Sequence, residues 1–168
     1  QKIGQHNVLR NIYVMAAEVK PGHLLEVNIG GTGRPVVGQL ATVDESGSGE
    51  VQWYYGSGML SFKRPDPPEP PGWQQLTDEQ IRSWRKGSAE FKAWRLLQRY
   101  YDVNVESDGS FRAEDVPAGT YTLRIRLYAA PKNSRQIYGK RIASLEREVT
   151  IPEIPGGRTD EPLDLGIL

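Results

Sequence analysis

The chain has 168 residues, enough for one well-buried core or for one domain with a partner segment. Its 21 basic and 21 acidic residues cancel, which excludes a global field that would recruit nucleic acid. It has no cysteine, which excludes thiol catalysis, disulfides and zinc–thiolate sites together. No apolar run approaches the roughly 20 residues that span a bilayer, so no membrane span is expected. Gln1 stands where an initiator methionine would, and no leader-like segment follows it. The chain is therefore expected to begin at a processed or trimmed end. Its 18 glycines and 12 prolines are the punctuation of short strands joined by turns.

Val8 to Val19 reads as a strand that is apolar on both faces. Val8, Ile12 and Val14 fall on one face; Leu9, Tyr13 and Met15 fall on the other, so the strand expects cover on both sides. Lys20-Pro21-Gly22 makes a turn, and Leu25, Val27 and Ile29 give an alternating strand. Gly30-Gly31-Thr32-Gly33 reads as a hinge, and no lysine or helix follows to make it a phosphate loop. Residues 35–43 predict a further strand, and Val51 to Phe62 a pair broken at Gly56-Ser57-Gly58. Pro65 to Gly72 holds five prolines in eight positions, an extended connector. Thr77-Asp78-Glu79-Gln80 is a capping box that opens a helix. Gly87-Ser88 divides that helix, with Ser88 as a second N-cap. Trp84, Phe91 and Trp94 recur on one stripe, expected to close one end of the core. The alternative for that stripe is an aromatic ligand platform.

Tyr100 to Glu106 returns to strand, and the most regular pattern in the chain follows. Asp108-Gly109 supplies the positive backbone angle of a tight hairpin, and Pro117-Ala118-Gly119 a second turn. Tyr121, Leu123, Ile125 and Leu127 then alternate with Thr122, Arg124, Arg126 and Tyr128, one face apolar and one wet. This pattern predicts a mainly β chain, an antiparallel Greek-key-type β-sandwich with a helical insertion (about 76–99) and an N-terminal β-hairpin extension. Residues 1–31 are then the end of a preceding module or a donor strand, and 32–168 the sandwich domain.

Ser107 to Ile125 resembles the Asp-Gly-x-Phe…Val-Pro-x-Gly-x-Tyr signature of carboxypeptidase regulatory-like domains, which are transthyretin-like sandwiches. Gly33-Arg34-Pro35-Val36-Val37-Gly38 resembles that family's opening strand, and Leu145 to Pro152 its closing strand. The resemblance covers about residues 32–168. It implies a non-catalytic module of an extracytoplasmic protein (secreted, cell-surface or periplasmic), in some cases one that carries a redoxin domain downstream.

The candidate chemistry is sparse. His6 and His23 are the only imidazoles, and no carboxylate lies at a ligand spacing from them, so no metal is expected there. Glu106, Asp108, Glu114 and Asp115 lack the 1-3-5 spacing and terminal Glu of a calcium loop. Gly56-Ser57-Gly58 is not a nucleophile elbow, and no base is placed to activate a serine. No catalytic residue, cofactor or metal is therefore expected. Trp53, Tyr55 and Trp73, with Tyr54 nearby, are candidate sugar-stacking aromatics, although strand alternation, with Trp53 and Tyr55 on one face and Tyr54 on the other, already accounts for them as core and is the favoured reading.

Two functions are consistent with these features. The first is a structural module that polymerises head to tail into filaments, adding its N-terminal strand (Val8, Leu9, Ile12, Tyr13, Val14, Met15) to a neighbour's sheet. It implies a homo-oligomer or a neighbouring module as partner. The second is an accessory glycan- or protein-binding module of a larger secreted or redoxin-containing protein.

Overall fold

The computed structural model describes residues 12–13, 22, 24, 31–41, 53–133 and 136–168, and of residues 12–13 the backbone alone. The strands are β1 (Ile12–Tyr13), β2 (Arg34–Gln39), β3 (Tyr55–Phe62), β4 (Arg99–Val105), β5 (Ser110–Val116), β6 (Gly119–Tyr128), β7 (Arg141–Ile151) and β8 (Leu163–Ile167). Two helices, α1 (Asp78–Gly87) and α2 (Ala89–Leu96), lie between β3 and β4. The chain is mainly β.

Seven strands form one sheet in the order β7-β6-β3-β4-β5-β2-β8, with β1 off this path against β4. The sheet curls at β4. Its first part pairs with β3 through Tyr100–Val103, and Asn104–Val105 pair instead with β5. The sheet is mixed rather than antiparallel throughout. After β7 the chain crosses to the far edge and lays β8 parallel to β2.

The alternation of β6 is seated as its sequence predicts, with Tyr121, Leu123, Ile125 and Leu127 all buried. Opposite them Leu60, Tyr101 and Val103 join from the same half of the sheet, and Val36, Phe111, Ala113 and Val116 from the other half. Both halves thus bury one shared cluster, and burial of this apolar area is the main favourable term in folding. Tyr121 sits centrally, edge-on to Tyr101 and Phe62 at 5.7 and 5.5 Å. Its hydroxyl donates to the Pro117 carbonyl at 3.0 Å. That bond gives the Val-Pro-x-Gly-x-Tyr run a physical reason, because a buried hydroxyl needs an acceptor.

The Asp108-Gly109 turn closes β4 and β5 as a hairpin. The Glu106 amide donates to Ser110 O at 2.8 Å, the Gly109 amide to Glu106 O at 3.0 Å, and Gly109 adopts φ 86°. Gly109→Val is therefore expected to lower the denaturation midpoint more than Ser110→Val, since a β-branched residue fits a positive φ poorly. Equal midpoints would place the turn elsewhere.

Three expectations need correction. The glycines of Gly56-Ser57-Gly58 do not break the strand, because β3 runs unbroken through them. They permit close packing instead. A Cβ on Gly56 would lie 2.8 Å from Val105 Cβ, and one on Gly58 2.7 Å from Val103 Cβ. The hinge is pinned at its last residue. The Gly33 amide donates to Gly157 O at 2.7 Å, and Gly33 O accepts from the Thr159 amide at 3.1 Å.

The helical stripe does not close the core, since neither helix has a buried residue. The capping box at Thr77 and the cap at Ser88 form as the sequence predicts. Trp84, Phe91 and Trp94 pack on one another at 6.1 and 5.4 Å. Trp94 Nε1 donates to Pro65 O at 2.7 Å, and the Arg64 guanidinium covers its ring. The stripe thus braces the proline connector. The N-terminal strand is described at Ile12–Tyr13 alone, where it pairs antiparallel with β4: Ile12 opposite Tyr100, Tyr13 opposite Arg99. Val8, Leu9, Val14 and Met15 lie outside the described residues, as do His6 and His23.

Candidate binding surfaces

The expected aromatic trio is not brought together. Trp53 is half-buried against the core, and Trp73 stands on a separate turn of 3-10 helix after the proline connector. Tyr55 instead joins two tyrosines that sequence reasoning passed over. Tyr55 and Tyr128 are register partners on β3 and β6, and their rings lie 6.1 Å apart. The β6–β7 connection folds Tyr138 back onto both. It stacks on Tyr55 at 5.5 Å with an 8° interplanar angle and packs on Tyr128 at 4.5 Å. The base of that connection is held by Ala129 and Lys140, the Ala129 amide donating to Lys140 O at 2.9 Å. A further bond runs from the Gly139 amide to Ala129 O at 2.8 Å.

The cluster lies at the end of the sheet where β3 and β7 begin and β6 stops. Tyr54, Tyr55, Ile137, Tyr138 and Ile142 are 57, 42, 83, 43 and 40% exposed there. They are five of the nine large apolar side chains exposed among the described residues. Single exposed apolar residues are ordinary, whereas a gathering of them marks an interaction surface. The signal in the sequence was Tyr128 at a wet position of an alternating strand, followed by Tyr138 in a loop.

Compared with family models, with curated proteins and with solved structures, the chain matches none.

A concavity lies elsewhere, on the outer face of β2, β5 and β8. It is a groove of about 490 Å³ lined by Val37, Asn104, Glu106, Arg112, Asp164 and Ile167 among others. Two of its charges are already engaged. Arg112 pairs with Glu114, and Asp164 Oδ1 accepts from the Gly166 amide at 2.8 Å. The four carboxylates weighed for calcium do not converge, and no group of three metal-ligating side chains gathers among the described residues. Asp108 serves its turn, with Oδ1 accepting from the Ser110 amide at 2.9 Å and from Ser110 Oγ at 2.7 Å.

Those Ser110 bonds hold the Asp108 carboxyl below its ordinary 3.8. The Arg124 guanidinium, gripping Glu146 at 2.9 and 3.0 Å, holds that carboxyl below its ordinary 4.5. A carboxylate depressed in the fold adds stability above its ordinary value and loses it as pH falls through the folded one. Acidification below these values should therefore weaken the hairpin turn and the β6–β7 pair, modestly because both groups are exposed. Ser110→Ala should move the Asp108 carboxyl titration, followed by NMR, up towards 3.8. An unmoved titration would remove Ser110 as the cause.

The two sheet edges are poor templates for another strand. β7 has eleven residues, but Arg147 shares the face of Leu123, Leu145 and Val149, and Glu146 and Glu148 flank it. A charge on the inward face of an edge strand is a known guard against edge-to-edge pairing. β8 has only five residues and carries Gly166 at φ 69°. No described helix is long and apolar enough to cross a membrane.

Proposed function

We propose that this chain is a non-catalytic, extracytoplasmic β-sandwich module of the carboxypeptidase regulatory-like kind. In this reading the curled sheet closes as a sandwich, and the unit serves a larger secreted or redoxin-containing protein as an accessory binding module. The observation that carries the reading is the gathering of five exposed apolar side chains at the β3/β6/β7 tip. The shared core of the two sheet halves and the turn-and-tyrosine run at Pro117–Tyr121 support the sandwich assignment.

Filament assembly by strand addition is the second reading, favoured by the apolar pattern of Val8 to Met15. The guarded β7 edge, the pinned Gly33 and the pairing of Ile12–Tyr13 with β4 weigh towards the first. Sedimentation equilibrium over a wide concentration range separates them. The binding-module reading expects one species of 18.8 kDa throughout. Growth into large species, abolished by deleting residues 1–17 from a chain that still folds, would replace it with the assembly reading.

A further inference from the structure

We infer that the β3/β6/β7 tip docks on a negatively charged lipid surface, an inference that rests on the binding-module reading above. The described residues of the β6–β7 connection and the start of β7 (129–133 and 136–141) carry Lys132, Lys140 and Arg141 and no acidic residue, although the whole chain is neutral. Lys132, Lys140 and Arg141 are exposed beside the apolar tip. The β4–β5 turn at the same end carries two exposed carboxylates, Glu106 and Asp108, the second occupied by Ser110, against the three exposed cations. A cationic rim around an apolar point is complementary to anionic headgroups over an acyl boundary.

The shape of the tip favours lipid over sugar. Sugars stack on open aromatic faces. Here Tyr55 and Tyr138 stack on each other and Tyr138 packs on Tyr128, so much of the ring faces is spent within the cluster. Tyrosine rings also sit readily at the headgroup level of a membrane–water interface. Ile137, the most exposed of the group, and Ile142 beside Arg141 offer a sugar nothing to hydrogen-bond, yet both partition readily into an interface. Such docking lays the tip in the headgroup layer without a spanning segment.

The test is co-sedimentation of the whole chain with vesicles of phosphatidylcholine mixed with phosphatidylglycerol, against pure phosphatidylcholine vesicles. Binding is expected to the mixed vesicles, weakened by salt as a surface charge attraction must be. Ile137→Ser should weaken it, and changing Lys132, Lys140 and Arg141 together to Gln should reduce it roughly tenfold or more. All four positions are exposed, so circular dichroism should show these variants folded. Equal binding to both vesicle types, no vesicle binding, or binding unchanged in the variants would overturn the inference. Polygalacturonate bound at the tip without vesicle binding would overturn it in favour of an anionic glycan. In each of these cases a persistent 18.8 kDa species would leave the binding-module reading standing.

Discussion

Leu123→Ala is expected to cost roughly 2–5 kcal/mol, the range for truncating a fully buried leucine. Leu123 is wholly buried on β6, opposite Leu60 of β3 on one side and Arg147 of β7 on the other. Its neighbours in the core come from both halves of the curled sheet, and backbone pairing on both flanks limits collapse into the void. The loss should therefore fall in the upper part of that range. Chemical denaturation of the variant reads it as a lowered midpoint with an unchanged slope. An unchanged midpoint would mean that β6 is out of register with the core.

Gly33→Ala should be comparably damaging, for a different reason. Gly33 adopts φ 103°, and a Cβ there would lie 2.5 Å from Val116 C and 2.6 Å from Asp115 C. Those are backbone atoms of β5 and cannot swing aside as a side chain can. The left-handed backbone costs an L-residue roughly 1–2 kcal/mol, and overpacking typically adds about 1–3 kcal/mol. Its bonds to Gly157 and Thr159 fasten the entry of β2 to the segment leading into β8. Gly31→Ala is the control: Gly31 also has positive φ, but a Cβ there would approach nothing closer than Arg158 Nη1 at 4.0 Å. Equal thermal shifts for the two variants would show that strain alone, and not the close approach, matters.

The parts of the fold written locally were legible. The hairpin from Glu106 to Ser110, the turn into Tyr121 and the caps at Thr77 and Ser88 each depend on residues within four positions of one another. What failed depends on distant partners. Glycine in Gly56-Ser57-Gly58 signals a turn or a close approach equally, and only Val103 and Val105, some 45 residues on, decide for the approach. The Trp84, Phe91 and Trp94 stripe has the period of a core-facing helix, but its cover is the proline connector and Arg64 rather than the sheet. The tyrosine tip was hidden for the same reason. Tyr55 meets Tyr128 through strand register and Tyr138 through a loop fold, so no sequence window contains the cluster. The parallel entry of β8 was likewise unreadable, since a five-residue alternating run carries no direction.

In the binding-module reading proposed above, the N-terminal strand pairs with β4 of its own chain, and the tip is the surface left for a partner. The natural chain has no cysteine, so a double variant, Tyr13→Cys with Arg99→Cys, places a single thiol pair at two register partners. Oxidation followed by non-reducing electrophoresis and intact-mass measurement reads whether the bond forms within or between chains. A cross-linked monomer is expected, with yield independent of protein concentration. A ladder of covalent dimers and higher multimers, growing with concentration, would show the strand paired with a neighbour and contradict it.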